Sequence, residues 1–204
     1  WSSDVCSSDL ERAMINHLAA NIGREPGEFG YFLGLGSVGV KAFSTPFDSW
    51  WCCVGTGLEN PTRYGEQIYA RSDDTLWVNL FIGSTLEWPE KGLRLSQETL
   101  FPDEDTVRLS IFCPEPVSLK LKIRHPHWCA ALEVKLNGRP ISVDSSPSSY
   151  LTVERIWNDG DALELRRRPA ELLARHRGVA DQPVDGGQAG GMRVTEEGRS
   201  EERR

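Results

Sequence analysis

Between Thr75 and Leu165 apolar and polar residues alternate with a period of two, and no other feature constrains the fold as strongly. Residues 76–82, 93–101, 107–113 and 117–123 each turn every second side chain to one face. The shorter runs 132–136, 150–153 and 162–165 do the same. Asn137-Gly138 suits a two-residue hairpin, whose turn needs positive φ at both central positions. Residues 158–161 (NDGD) mark a second turn. Seven or more short strands at this spacing predict an antiparallel β-sandwich over about residues 74–165.

Ahead of the sandwich the period is helical. In residues 11–23 (ERAMINHLAANIG), Met14, Leu18 and Ile22 fall four apart, with Ile15 and Ala19 on the adjoining row. Gly23 is placed to cap that helix. A second helix is expected over residues 58–70, burying Leu58, Tyr64, Ile68 and Tyr69. Pro61 would sit in its first turn, where a missing N–H costs nothing. The Gly-rich stretch between them reads as loop or short strand. The expected organisation is multidomain α+β, with a helical region over 11–73 and the sandwich over 74–165.

The two ends read differently. Residues 1–10 (WSSDVCSSDL) are what a common sequencing adapter encodes when translated, and residues 199–204 (RSEERR) match its complement. Both are set aside as technical scars, Cys6 with them. Beyond Leu165 the alternation is expected to stop at Arg166, Arg167 and Arg168. Residues 166–198, with their Gly-rich run, read as an irregular tail or a slipped reading frame.

Composition excludes some partners. The net charge of −7 and the absence of a basic stripe argue against nucleic acid. No apolar run approaches the roughly 20 residues that span a bilayer. The cysteines do not form a disulfide framework.

Chemistry concentrates at residues 50–57 (WWCCVGTG). Adjacent thiols rarely bridge each other, because the ring they would close strains the peptide between them. Cys52 and Cys53 therefore read as metal ligands or a nucleophile, or more blandly as two small buried residues.

Residues 44–60 (STPFDSWWCCVGTGLEN) resemble the cysteine-pair motif of the β-L-arabinofuranosidases, glycoside hydrolase families 127 and 146. The Gly-Thr-Gly after the pair leans to the family 146 side. Residues 11–17 resemble the family's helix before the active-site loop, and residues 91–99 and 157–161 its β-domain. The likeness covers about residues 11–165. It implies the C-terminal part of an (α/α)6 helical barrel followed by a β-sandwich, and a retaining glycosidase whose substrates are arabinose-containing oligosaccharides or glycans. It also implies Zn²⁺, with Cys52 as nucleophile and metal ligand and Cys53 as a second ligand. Glu11 and Tyr31 fall where the family places substrate contacts; otherwise Glu11 is a surface helix residue and Tyr31 a core aromatic.

The chemistry is self-consistent. A free thiol is mostly protonated at neutral pH, and coordination to zinc removes the proton. The thiolate then replaces the usual carboxylate nucleophile of a retaining glycosidase. The family's remaining zinc ligands and its acid/base Glu lie upstream of residue 11, so this segment alone is expected to be inactive. Arg124 to Cys129 (RHPHWC) offers two histidines and a cysteine, but resembles a metal-free Arg-x-Pro-x-Trp segment of the family. Cys113 reads as a strand-core residue. The rival function is a non-catalytic carbohydrate-binding sandwich.

Overall fold

The computed structural model describes residues 4–30, 41–49 and 52–169. The expectations for Tyr31 and for residues 170–204, the adapter-like end among them, fall outside the described residues.

Among the described residues ten strands form two sheets, β1 (Tyr69–Arg71), β2 (Thr75–Val78), β3 (Ser84–Trp88), β4 (Leu93–Thr99), β5 (Thr106–Phe112), β6 (Val117–His125), β7 (Cys129–Leu136), β8 (Arg139–Ile141), β9 (Ser149–Trp157) and β10 (Ala162–Pro169). One sheet has the order β1-β2-β6-β9 and the other β3-β4-β5-β10-β7-β8. The alternation works as its period demands. In β5, Val107, Leu109 and Ile111 are buried, and in β6 Leu119, Leu121 and Ile123. These side chains join Leu76, Val78, Leu93, Leu95, Leu151, Trp157, Leu163 and Leu165 in one core.

The sandwich is not wholly antiparallel. β2 runs parallel to β6, with Leu76 opposite Leu121 and Val78 opposite Ile123. A parallel pair needs a long crossover, supplied here by the whole of β3 to β5, which belong to the other sheet. β1, β3 and β8 were not expected as strands. They are three to five residues long and too short to carry a periodic signal.

Both turn expectations hold. Asn137 (φ 50°) and Gly138 (φ 78°) close the β7–β8 hairpin. Gly160 (φ 80°) lies in the β9–β10 turn, where the Asp161 amide donates to the Asn158 carbonyl at 3.1 Å. β10 runs on to Pro169, and Arg167 follows Leu163 and Leu165 inward with no exposed surface. The alternation therefore does not stop at Arg166.

The helical part departs further from expectation. Helix α1 (Asp4–Ala13) runs without a break through residue 10. A π-type turn over Met14–Leu18 and a 3₁₀ turn over Ala19–Asn21 then carry the chain to Ile22, which is extended. Gly23 is no helix cap. Its amide donates to the Glu28 carbonyl at 2.8 Å, and a Cβ there would collide with the Glu28 side chain.

Helix α2 (Cys52–Ile68) begins at the cysteine pair rather than at Leu58. Pro61 is thus an interior residue, and it denies the Gly57 carbonyl its usual donor. Leu58 is exposed and Tyr64 and Tyr69 are half-buried, while Ile68 is buried as expected and Val54 is buried with it.

Candidate active site

The approach to the cysteine pair is a short strap of non-regular chain. Ile22 bridges Phe29, and Gly30 bridges Phe43. Ser44 ties the strap together: its hydroxyl accepts from the Phe29 amide at 2.9 Å and donates to the Gly27 carbonyl at 2.8 Å. Its own amide donates to the Phe29 carbonyl at 2.9 Å, and its side chain is buried. Gly27 has φ 84°, a conformation that costs glycine little. The chain then turns at residues 45–49, where the Thr45 amide donates to Ser49 Oγ at 2.7 Å. Phe47 on this turn is 96% exposed.

Cys52 opens α2, and its thiol is exposed. Cys53 follows in the helical backbone. The first turn of a helix presents backbone N–H groups that favour negative charge. A metal demands more than this pair. Among the described residues no group of three or more His, Cys, Asp or Glu side chains could hold a metal ion. Two adjacent thiols make half of a tetrahedral zinc site, and the described residues do not close one.

Glu11 stands in a different setting, turned against the sandwich. Its side chain is almost fully buried and pairs with the buried Arg124 of β6. The Arg124 Nη2 donates to one carboxylate oxygen, and Trp128 Nε1 donates to the other at 2.7 Å. Arg124 also donates through Nε to the Asn79 carbonyl at 2.6 Å, and Tyr150 donates to Asn79 Oδ1 at 2.8 Å. Glu11 is therefore no surface helix residue.

Beside this pair lies a second buried arginine. The Arg167 guanidinium sits 4.3 Å from the Phe101 ring centroid and 4.7 Å from that of Phe81. Phe101 in turn stacks on Trp128 with centroids 5.6 Å apart. Arg167 donates through Nε and Nη2 to the carbonyls of Asp105 and Glu104 at 3.3 and 3.1 Å. Burial lowers its pKa to about 10, against the raising influence of Glu11.

In the Arg124–Cys129 segment, His125 is buried, with Nδ1 3.0 Å from Ser145 Oγ and Nε2 3.0 Å from the Cys129 carbonyl. Cys113 is buried in the core. Burial pushes the thiols of Cys113 and Cys129 upward. Arg124, Trp128 and Arg167 were not anticipated as a group. The signal for Arg167 was present, since it keeps the inward register of Leu163 and Leu165.

Comparison with known proteins agrees with this architecture. Residues 4–66 match the family model of the β-L-arabinofuranosidase GH127 catalytic domain, and residues 75–167 that of the GH127 middle domain. No curated protein matches the chain. A solved glycoside hydrolase is similar with TM-score 0.69 and 24% identity, over 81% of this chain and 29% of its own. A GH127 β-L-arabinofuranosidase from Geobacillus stearothermophilus T6 is similar with TM-score 0.64 and 22% identity, over 81% and 28%. A GH127 β-arabinofuranosidase gives TM-score 0.68 and 26% identity over the same shares.

A two-sheet β domain behind a helical segment that carries a cysteine pair defines a piece of a glycoside hydrolase. The chain belongs to glycoside hydrolase family 127 and joins part of its catalytic domain to its middle domain. It spans less than a third of the length of the solved structures it resembles.

Proposed function

We propose that the protein containing this chain is a retaining β-L-arabinofuranosidase acting on arabinose-containing oligosaccharides or glycans, with Cys52 as its nucleophile. One observation carries the reading: an exposed thiol opens a helix inside the segment that matches the GH127 catalytic domain. In this reading residues 11–73 belong to the C-terminal part of an (α/α)6 barrel.

The Cys52 thiolate attacks the anomeric carbon, and the bond to the aglycone oxygen breaks. A carboxylic acid from elsewhere in the protein protonates that oxygen as it leaves. Water then displaces the sulfur, so two inversions give net retention. Tyr31 is proposed to contact the sugar. Glu11 already accepts from Arg124 and Trp128, and it reaches the sugar only by sharing an oxygen with one of them.

The zinc reading rests on the resemblance alone. Cys52 and Cys53 would give two ligands, with the others and the acid/base residue supplied elsewhere in the protein. The segment by itself is then inactive.

The test uses the full-length protein and an aryl β-L-arabinofuranoside. Cys52→Ser should abolish turnover while arabinose still binds, and mass spectrometry of the wild type should trap a glycosyl adduct on Cys52. Unchanged turnover in Cys52→Ser would remove the nucleophile assignment. Sugar binding without turnover in the wild type would favour the binding-module reading.

A further inference from the structure

Two glycines follow the cysteine pair inside α2, and they meet different surroundings. A Cβ added at Gly55 would touch nothing within 4 Å. A Cβ added at Gly57 would lie 2.7 Å from Cδ1 of Phe29, closer than carbon atoms approach, and 3.1 Å from Cε1. The Phe29 ring is thus seated on the bare backbone of α2. Glycine within a helix costs about 1 kcal/mol against alanine, so this position needs a reason, and the ring supplies it.

The backbone that carries the ring is held firmly. The Phe29 amide donates to the buried Ser44 hydroxyl, its carbonyl accepts from the Ser44 amide, and Ile22 bridges it from the other side. Gly57 lies five residues beyond Cys52, about 7.5 Å along the helix axis. Displacing the helix at Gly57 therefore displaces the thiol.

We propose that Phe29 is a positioning residue for Cys52: its ring, carried on a backbone tied to Ser44 and seated on Gly57, sets where the first turn of α2 and the Cys52 sulfur stand. This rests on Cys52 being the nucleophile. An attacking atom must be held close to its productive geometry, and a misplacement of about 1 Å can cost about a hundredfold in rate. Gly57→Ala forces the helix off the ring, and Phe29→Leu takes away part of the seat.

The experiment measures kcat and KM of the full-length protein on an aryl β-L-arabinofuranoside. Gly57→Ala should lower kcat by about ten- to a hundredfold with KM little changed. Adding Phe29→Leu to Gly57→Ala, which makes room for the methyl group, should recover most of that loss. Phe29→Leu alone should lower kcat several-fold and serves if Gly57→Ala does not fold. Unchanged kcat in Gly57→Ala, or a double variant no better than the single one, would overturn the proposal. So would unchanged kcat in Phe29→Leu. Amide exchange over residues 52–56 separates the two layers. Faster exchange in Gly57→Ala beside full turnover in Cys52→Ser would leave the seat standing and remove only the nucleophile.

Discussion

Glu11 of α1 and Arg124 of β6 form an ion pair across 113 positions of sequence, with side chains only 4% and 0% exposed. Such a pair resists one-sided loss. Removing one partner strands a buried charge and costs about 3–5 kcal/mol. Arg124→Met and Glu11→Gln should each lower the unfolding free energy of the full-length protein markedly, measured by denaturant titration. The double variant Glu11→Leu/Arg124→Met should lose less than the sum, since neither charge remains. Additive losses would mean that the pair does not couple the helix to the sheet.

How much of this was legible in the sequence depends on the range of the cause. The alternation of Val107, Leu109 and Ile111, or of Leu119, Leu121 and Ile123, is a local consequence of the pleat and needs no knowledge of the partner strand. Asn137-Gly138 is equally local. The parallel pairing of β2 with β6 is not, because residues 75 and 120 carry no mark of their register. The start of α2 was hidden by Gly55, Gly57 and Pro61, each a poor helix former. A contact from Phe29, 28 positions away, gives Gly57 its reason. The cysteine pair stood out as a candidate site from its local sequence alone. Glu11 read as a surface helix residue or, through the resemblance, as a sugar contact, because nothing near it announces Arg124 or Trp128.

Arg167 makes its contacts through a flat guanidinium. Its central carbon lies over the Phe101 and Phe81 rings, and its fork reaches the carbonyls of Glu104 and Asp105. A lysine keeps the charge but neither the plane nor the fork. Arg167→Lys should therefore destabilise the protein by about 2 kcal/mol. Equilibrium unfolding checks it; a loss under about 0.5 kcal/mol, the range of ordinary surface substitutions, would show that the aromatic seat contributes little.

Asp161 links the two sandwich turns and gives an acid-side prediction. Burial alone would raise its pKa, but the Asn158 amide, Asn137 Nδ2 and the Arg155 charge outweigh that and lower it. A carboxylate depressed on folding stabilises fully above its unfolded value, near 3.9, and that stabilisation fades as pH falls through the lower folded value. Asp161→Asn should reduce stability at pH 7 and flatten the decline below about pH 4. The same acid slope in wild type and variant would assign it to other carboxylates.

Cys52, Cys113 and Cys129 should also separate by reactivity. Cys113 and Cys129 are buried, and burial holds both thiols protonated to higher pH than usual, which slows attack by an alkylating reagent twice over. Cys52 is exposed at the start of α2. Iodoacetamide added to the native protein, followed by peptide mass spectrometry, should modify Cys52 well before the two sandwich cysteines. These two should react only as the sandwich unfolds, so their labelling should follow the denaturant transition. Early modification of Cys113 or Cys129 in native buffer would mean that the sandwich opens locally around β5 or β7. The protection of Cys52 by arabinose would then be the sharper comparison, because only a thiol facing the sugar is shielded by it.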